Sequence, residues 1–378
     1  MTPAISNTPK LAPKSFDVDA VKFLASRGGP FLTAIIPDRH PGAPEGSRRS
    51  IIQSLVKNAQ EQLAASPFAD RALELVAPLE ALARDPDVAA GGAGFAIFLS
   101  PERGVFYRAP GHTEKIVLSS HPFLTPFFAE ASVPNDFFIL GLSTKHLRLF
   151  HYANGECTEV DLPEGVPTSL EEAGKRSDLN LENRSSIGSN AGSMHPMRFG
   201  TMSDRESAGD HLRHFFGLAD HGLKPLLAGK PLLLMGVHEE IHAYERAAKY
   251  GHLLGSGIDG SPDVLSVAQA AALAREAAKA DYEWQADAVL AEFREMKERV
   301  RTLKDPLAIL RAAAQGRVHR LCVRKDTQLF VAAKEAGVPK QDLVNAAAVE
   351  TLRTGGEVFE LGQDRMAEAE PLAAILRY

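Results

Sequence analysis

Residues 372–378 read LAAILRY. Five apolar residues, the β-branched Ile375 among them, run without interruption before Arg377 and Tyr378. A short apolar run with no alternation predicts a strand covered on both faces. Chain ends fray unless something holds them. This strand is therefore expected inside a sheet, tied into a core, with Arg377 and the terminal carboxylate near the surface. Reading backwards, EVFEL (357–361) is a second strand, and DLVNAAAVETLRTGG (342–356) is a helix with a glycine cap. RVHRLCVRK (317–325) is another strand, and PLAILRAAAQG (306–316) a helix stopped by glycine. Helices alternating with short strands predict a small α/β/α sandwich over residues 259–378. DGSPDVLS (259–266) reads as a linker. Ser266 and Gln269 form a capping box ahead of an Ala-rich helix that continues through residues 280–300.

Upstream, FFILGLS (137–143) and HLRLFHY (146–152) flank a short polar turn, and TEVDLP (158–163) can add a third strand. Residues 175–204 are rich in Gly, Ser and Asn and lack apolar periodicity. A stretch of that length is too long for an ordinary connector and is expected to be functional or disordered. A helix over 205–227, the strand PLLLMGV (231–237) and a helix over 239–250 complete an α/β domain at 133–258. Residues 17–132 hold the strand FLTAIIP (31–37) and helical spacing from Arg48 to Ala83 with a break near Pro67. They then offer a hairpin of GFAIFLS (94–100) and GVFYRAP (104–110). Residues 1–16 are rich in Pro, Ser and Thr, have no apolar segment of the secretory kind, and read as a disordered tail. The expectation is an α/β multidomain protein of three domains, with breaks near 132 and 258.

The chain has 378 residues with a formal net charge of -6 and a pI near 6.1. Bulk charge thus gives no support for DNA or membrane binding, and nucleic-acid contact requires a local basic patch. No apolar run is long enough for a membrane span. Two cysteines, Cys157 and Cys322, lie far apart and in no metal spacing, which fits a reducing cytoplasm.

Three motifs bear on possible chemistry. HEEIH (238–242) matches H-E-x-x-H, in which His238 and His242 would hold zinc and Glu239 would act as base. It directly follows a strand, so it sits at a helix start, and Glu245 and Ala248 stand where the extended pattern needs Gly and His. A surface helix N-terminus is the expected reading, with no metal or cofactor. GSGIDG (255–260) matches G-x-G-x-x-G but follows a helix and leads into Ser-Pro, so it reads as a linker. His211, His214 and His221 are expected on a polar helix face. Local basic groups occur at Arg184, Arg198 and Arg205, offset by Asp178, Glu182, Asp204 and Glu206, and at Arg317, Arg320, Arg324 and Lys325.

LAAILRY resembles the last strand of archaeal and eukaryotic class I release factors and their Pelota relatives, commonly of the form (I/L)(A/G)AILRY. AAAQGRVHRLCVRKD (312–326) and AAAVETLRTGGEVFEL (346–361) resemble the preceding helices and strands of their third domain. The segments at 137–156 and 231–254 resemble their middle domain. FLTAIIPDRHPG (31–42) with RRSIIQSLVKNAQEQL (48–63) resembles the bacterial branch of that superfamily. The resemblance implies a ribonuclease-H-like middle domain and a C-terminal domain of the kink-turn-binding ribosomal-protein type. It implies a cytoplasmic protein whose partner is the ribosome or tRNA. True release factors carry Gly-Gly-Gln on a loop of the middle domain, and residues 175–206 contain no Gln and no Gly-Gly pair. Asn190 and His195 are the residues there that could stand in. The Asn-Ile-Lys-Ser decoding motif is also absent, so reading of stop codons is not implied. Three readings stay open. One is a ribosome-associated factor in rescue, quality control or regulation. Another is a hydrolase, of RNA esters through residues 175–204 or through zinc at His238 and His242. The last is a protein-binding relic of the fold. If the chain is an enzyme, peptidyl-tRNA hydrolysis is the expected class.

Overall fold

The computed structural model describes residues 16–40, 42, 44, 46–85, 92–101, 104–109, 111–153, 155–175, 203–255, 257–296, 301–331, 341–367 and 369–378. The chain begins with α1 (Val18–Ala25), β1 (Phe31–Ile36), α2 (Ser47–Ala64), α3 (Ala72–Arg84), β2 (Phe95–Leu99), β3 (Gly104–Arg108), β4 (Lys115–Ser119) and α4 (Phe128–Ser132). β5 (Asp136–Gly141), β6 (Arg148–Ala153), β7 (Glu156–Val160), α5 (Ser203–Leu227), β8 (Leu232–Gly236), α6 (His238–Ala247) and β9 (Ile258–Asp259) follow. The long α7 (Val267–Glu295) leads to β10 (Thr302–Leu303), α8 (Pro306–Ala314), β11 (Val318–Arg324), β12 (Phe330–Val331) and β13 (Gln341–Asp342). α9 (Leu343–Arg353), β14 (Glu357–Leu361) and β15 (Leu372–Leu376) close the sequence. Among the described residues, no helix is long and apolar enough to cross a membrane.

These elements form two compact units, Met1–Val133 with Glu283–Tyr378, and Pro134–Tyr282. In the first unit, β1 is central in an antiparallel sheet of order β3-β2-β1-β4. The period of two along a strand sends alternate residues to opposite faces. Leu32, Ala34 and Ile36 pack with Ile52 and Leu55 of α2 and Leu75 and Leu79 of α3. Ile35 faces the other way, with Ala96, Phe98 and Tyr107. The second sheet has the order β10-β15-β11-β14. All of β15 is buried, and it is antiparallel to both its neighbours. One face carries Leu321, Val323, Leu372 and Ala374, which share a core with α8 and α9. The other carries Cys322, Ala373 and Ile375, covered by Ala286, Val289, Leu290 and Phe293 of α7. This is an α/β/α arrangement. Burial pushes the Cys322 thiol up to about 12, so it packs as a small apolar residue. A register shift between Val318 and Arg320 breaks the alternation of β11. It leaves Val318 in the same core as Leu321 and His319 exposed.

The expected separation of residues 17–132 from residues 259–378 is revised. Ile35, Phe98, α1 and residues 123–131 lie in one continuous hydrophobic cluster with Ile309 and Ala313 of α8, with Val344, Ala347 and Ala348 of α9, and with β15. A core that both ends of the chain must complete does not divide into two domains. Polar contacts fix the join. Asn345 on α9 is buried. Its Oδ1 accepts from Leu124 N at 2.8 Å, Thr125 N at 3.2 Å and Thr125 Oγ1 at 3.0 Å. Its Nδ2 donates to Pro122 O at 2.9 Å. His121 Nε2 lies 3.0 Å from Glu350 Oε1, and Ala129 N donates to Glu360 Oε2 at 3.2 Å.

In the second unit the sheet order is β7-β6-β5-β8-β9. β5, β6 and β7 form an antiparallel meander, while β8 and β9 run parallel to β5. The stretch read as a linker at 255–260 thus supplies an edge strand, with Ile258 opposite Met235. Phe138, Leu140 and Leu149 of one face pack with Phe215, Phe216 and Leu223 of α5 and with Ile241 and Tyr244 of α6. The capping box forms as expected. Ser266 N donates to Gln269 Oε1 at 3.0 Å, and Gln269 N to Ser266 Oγ at 3.3 Å.

Candidate functional site

Asn190, His195, Arg184 and Arg198 lie outside the described residues, as does the side chain of Arg205. The elements that bracket them are defined. Residues 170–175 are helical, and their entry is fixed to the β5–β6 turn. Leu147 N donates to Thr168 O at 2.8 Å and Leu170 N to Thr144 O at 3.0 Å. Thr168 N and Oγ1 both donate to Glu172 Oε2 at 2.8 Å. On the far side α5 is anchored by its buried Asp220, which accepts from Lys249 N at 3.0 Å and Tyr250 N at 3.2 Å. The Lys224 ammonium sits 3.1 Å from the same carboxylate. Leu170 and Ala173 join the same hydrophobic cluster as Phe215 and Phe216. A Cβ at Gly222 would meet Val166 Cγ2 at 2.5 Å, so α5 passes the 163–170 connection as closely as a glycine permits. Both stems of the segment are therefore held against one face of one sheet. His211, His214 and His221 sit on the exposed face of α5.

HEEIH opens α6, with Val237 as its N-cap. His238 Nε2 and His242 Nε2 are 2.9 Å apart. His242 Nδ1 is 2.9 Å from Glu245. Glu240, the second glutamate, is half-buried and accepts from Thr144 N at 3.1 Å. Burial pushes its carboxyl above the usual range. Among the described residues, no group of three or more His, Cys, Asp or Glu is placed to hold a metal.

The strand separates the basic residues that the sequence bunches together. Arg317 precedes β11 and Lys325 follows it, so the two sit about 26 Å apart across a seven-residue strand. Arg320 is engaged by two carboxylates, Glu292 at 2.6 Å and Glu357 at 3.1 Å. Arg324 Nε donates to Met366 O at 3.1 Å, and its Nη1 to Thr327 Oγ1 at 3.0 Å. Lys325 is exposed. A single patch of Arg317, Arg320, Arg324 and Lys325 does not form. Arg317 instead pairs with Arg377 across one edge of β15, and Arg301 lies across its other edge. Arg377 N donates to Arg317 O, and Leu376 N to Arg301 O, both at 2.8 Å. Arg301 and Arg377 carried no local signal, because only the pairing of β10 and β11 on either side of β15 brings them together.

The meander-plus-parallel sheet of the second unit and the α/β/α layers of the first make this a mixed α/β protein. Residues 136–317 match the model of bacterial archaeo-eukaryotic release factor family 3. Over that span, just under half of the chain, it is similar to the bacterial homologues of the archaeo-eukaryotic release factors. Among solved structures it is similar to the archaeal translation termination factor aRF1, with 14% identity, 95% of this chain and 96% of the other covered, and a TM-score of 0.23. It is also similar to Dom34 of S. cerevisiae, described as a translation termination-like factor involved in RNA quality control pathways, with 9% identity, coverage of 77% and 75%, and a TM-score of 0.36. A third is archaeal Pelota from a ribosome-bound complex with ABCE1, with 9% identity, coverage of 97% and 95%, and a TM-score of 0.38. No curated protein matches the chain.

Proposed function

We propose that this protein is a ribosome-associated release-factor-like factor that acts in ribosome rescue, translation quality control or regulation without Gly-Gly-Gln peptide release. The observation that carries the reading is the release-factor family match over residues 136–317 on a chain with no Gly-Gly-Gln anywhere in its sequence. In this reading residues 133–258 are a ribonuclease-H-like domain, which the order β7-β6-β5-β8-β9 supports. The C-terminal α/β/α layer is of the kink-turn-binding ribosomal-protein type. The protein works in the cytoplasm, where its partner is the ribosome or its tRNA. The fold serves as a shape that fits a ribosomal site.

Ester hydrolysis at the peptidyl-transferase centre depends on a positioned donor and water, and losing such positioning commonly costs orders of magnitude in rate. Asn190 has the Gln amide on a stem one carbon shorter, and a misplacement of about 1 Å can cost ~100-fold. His195 could act as a base near neutral pH, but Pro196 restricts the backbone that presents it. Two measurements test the proposal. In sucrose gradients of a lysate the protein should sediment with ribosomes, more so when they are stalled, and exclusive recovery at the top of the gradient would refute association. On stalled ribosomes, wild type, Asn190→Ala and His195→Ala should all give background release of peptidyl-tRNA. Robust wild-type release abolished by either substitution would make the protein an enzyme with a rebuilt active segment.

A further inference from the structure

We propose that the arginines gathered where β11 begins and β15 ends form a binding edge for the phosphodiester backbone of RNA. The choice of RNA rests on the ribosome-associated reading above, while the edge itself rests on geometry. β15 lies between β10 and β11. Hydrogen bonds from its last residues reach Arg301 O on one side and Arg317 O on the other. Adjacent strands lie about 4.8 Å apart, so Arg301, Arg317 and Arg377 start from backbone positions within about 10 Å of one another. Two more arginines belong to the same end. Arg311 and Arg353 stand in the last turns of α8 and α9. Those helix ends are joined by Thr354 Oγ1 donating to Ala313 O at 3.2 Å. Arg377 Nη2 donates to Thr354 O at 3.1 Å, which ties β15 to the end of α9. Arg317 N donates to Ala312 O at 2.9 Å, which ties β11 to the end of α8.

The charge balance at this end is uneven. Glu350 is committed to Arg353 and His121, and Glu357 to Arg320. Arg301, Arg311 and Arg317 make no ion pair among the described residues. Like charges repel, so an uncompensated set on one short edge of a chain with net charge -6 opposes folding slightly and calls for an external anion. Guanidinium forks match phosphate oxygens in a bidentate way. The arginines are arrayed along a sheet end rather than converging on a pocket, which suits an extended polyanion. The Tyr378 ring, 69% exposed beside Arg377, offers a face on which a base can stack.

The test uses the full chain and a fluorescently labelled single-stranded oligoribonucleotide, followed by anisotropy across a salt series. Wild type should bind at low salt with a steep salt dependence. Arg301→Ala/Arg317→Ala should weaken binding about tenfold or more and flatten the slope of log K against log salt by about 1.4, or ~0.7 per lost contact. Its melting temperature should be unchanged or slightly raised, because neither side chain makes an ion pair among the described residues. Arg301→Lys/Arg317→Lys should restore the slope. Unchanged affinity and slope in the alanine variant, or no wild-type binding at low salt, would overturn the proposal. So would equal binding of inorganic polyphosphate combined with no effect of Tyr378→Ala, which would mark a general anion site. Sedimentation separates this inference from the reading it rests on. RNA binding without ribosome association keeps the edge and removes the ribosome. Ribosome association that the alanine variant retains, with RNA affinity also unchanged, does the reverse.

Discussion

Asn345 shows how one side chain can hold distant parts of a chain together. Its carboxamide satisfies two backbone N–H groups, one hydroxyl and one carbonyl from residues 122–125. Removing it leaves buried groups with no alternative partner, and each such group costs about 1–3 kcal/mol. Asn345→Ala should therefore lower stability in urea by about 2–4 kcal/mol, and a change within error would show that the join does not depend on it. The neighbouring Glu350 carboxyl titrates. The His121 hydrogen bond first, and the Arg353 ion pair after it, hold the Glu350 carboxyl below the usual range. A depressed carboxylate contributes stability that is fully present above its unfolded value, near 4.5, and is lost as pH falls through its folded value. Glu350→Gln should accordingly be less stable than wild type at about pH 6, with the difference vanishing by about pH 2. A difference that persists at the acid end would assign the effect to packing alone.

At the scale of elements, β15 bears the most weight. It bonds to β10 and β11 and contributes to both faces of its sheet, Leu372 and Ala374 to one and Ala373 and Ile375 to the other. Burying each Leu or Ile side chain is worth about 1.5–3 kcal/mol. Deleting residues 373–378 removes Ile375 and Leu376 and uncovers two strand edges. Against a total stability of roughly 5–15 kcal/mol, that loss should leave the first unit unfolded or insoluble. A soluble truncation with an unchanged melting curve would refute this. α9 is the companion case. Its residues from Leu343 to Thr351 are all buried, so it is packed on every side rather than on one stripe. The small residues Ala346, Ala347 and Ala348 let neighbours approach that closely.

At the scale of the whole molecule, the first unit contains both ends of the sequence and the second is inserted between them. One cluster spans Phe98, Phe127, Ile309, Val344 and Leu376, so the two ends should open cooperatively. Ile309→Ala, which leaves a cavity in α8, should lower hydrogen-exchange protection at Ile35 and Phe98 as much as at Val344 and Val349. Loss confined to the C-terminal amides would restore the three-domain division.

The sequence alone determined what depends on near neighbours. The internal strand at 372–376, the hairpin after residue 94, the β5–β6 pair and the Ser266–Gln269 cap all follow from periodicity, turn residues and local hydrogen bonding, and all are present. The missing Gly-Gly-Gln was equally legible, being a matter of composition. The tertiary structure decided whatever depends on which surfaces meet. An apolar face does not say which other face will cover it, so the single core shared by residues 16–131 and 309–376 could not be read from either segment. The edge strand at 258–259 was hidden because two residues carry no periodicity, and pairing with β8 alone defines them. Arg317, Arg320, Arg324 and Lys325 are close in sequence, but sequence distance ignores strand geometry. A strand rises about 3.3 Å per residue, which parts its ends, while sheet pairing sets Arg317 beside Arg377, with Arg301 on the far edge of β15.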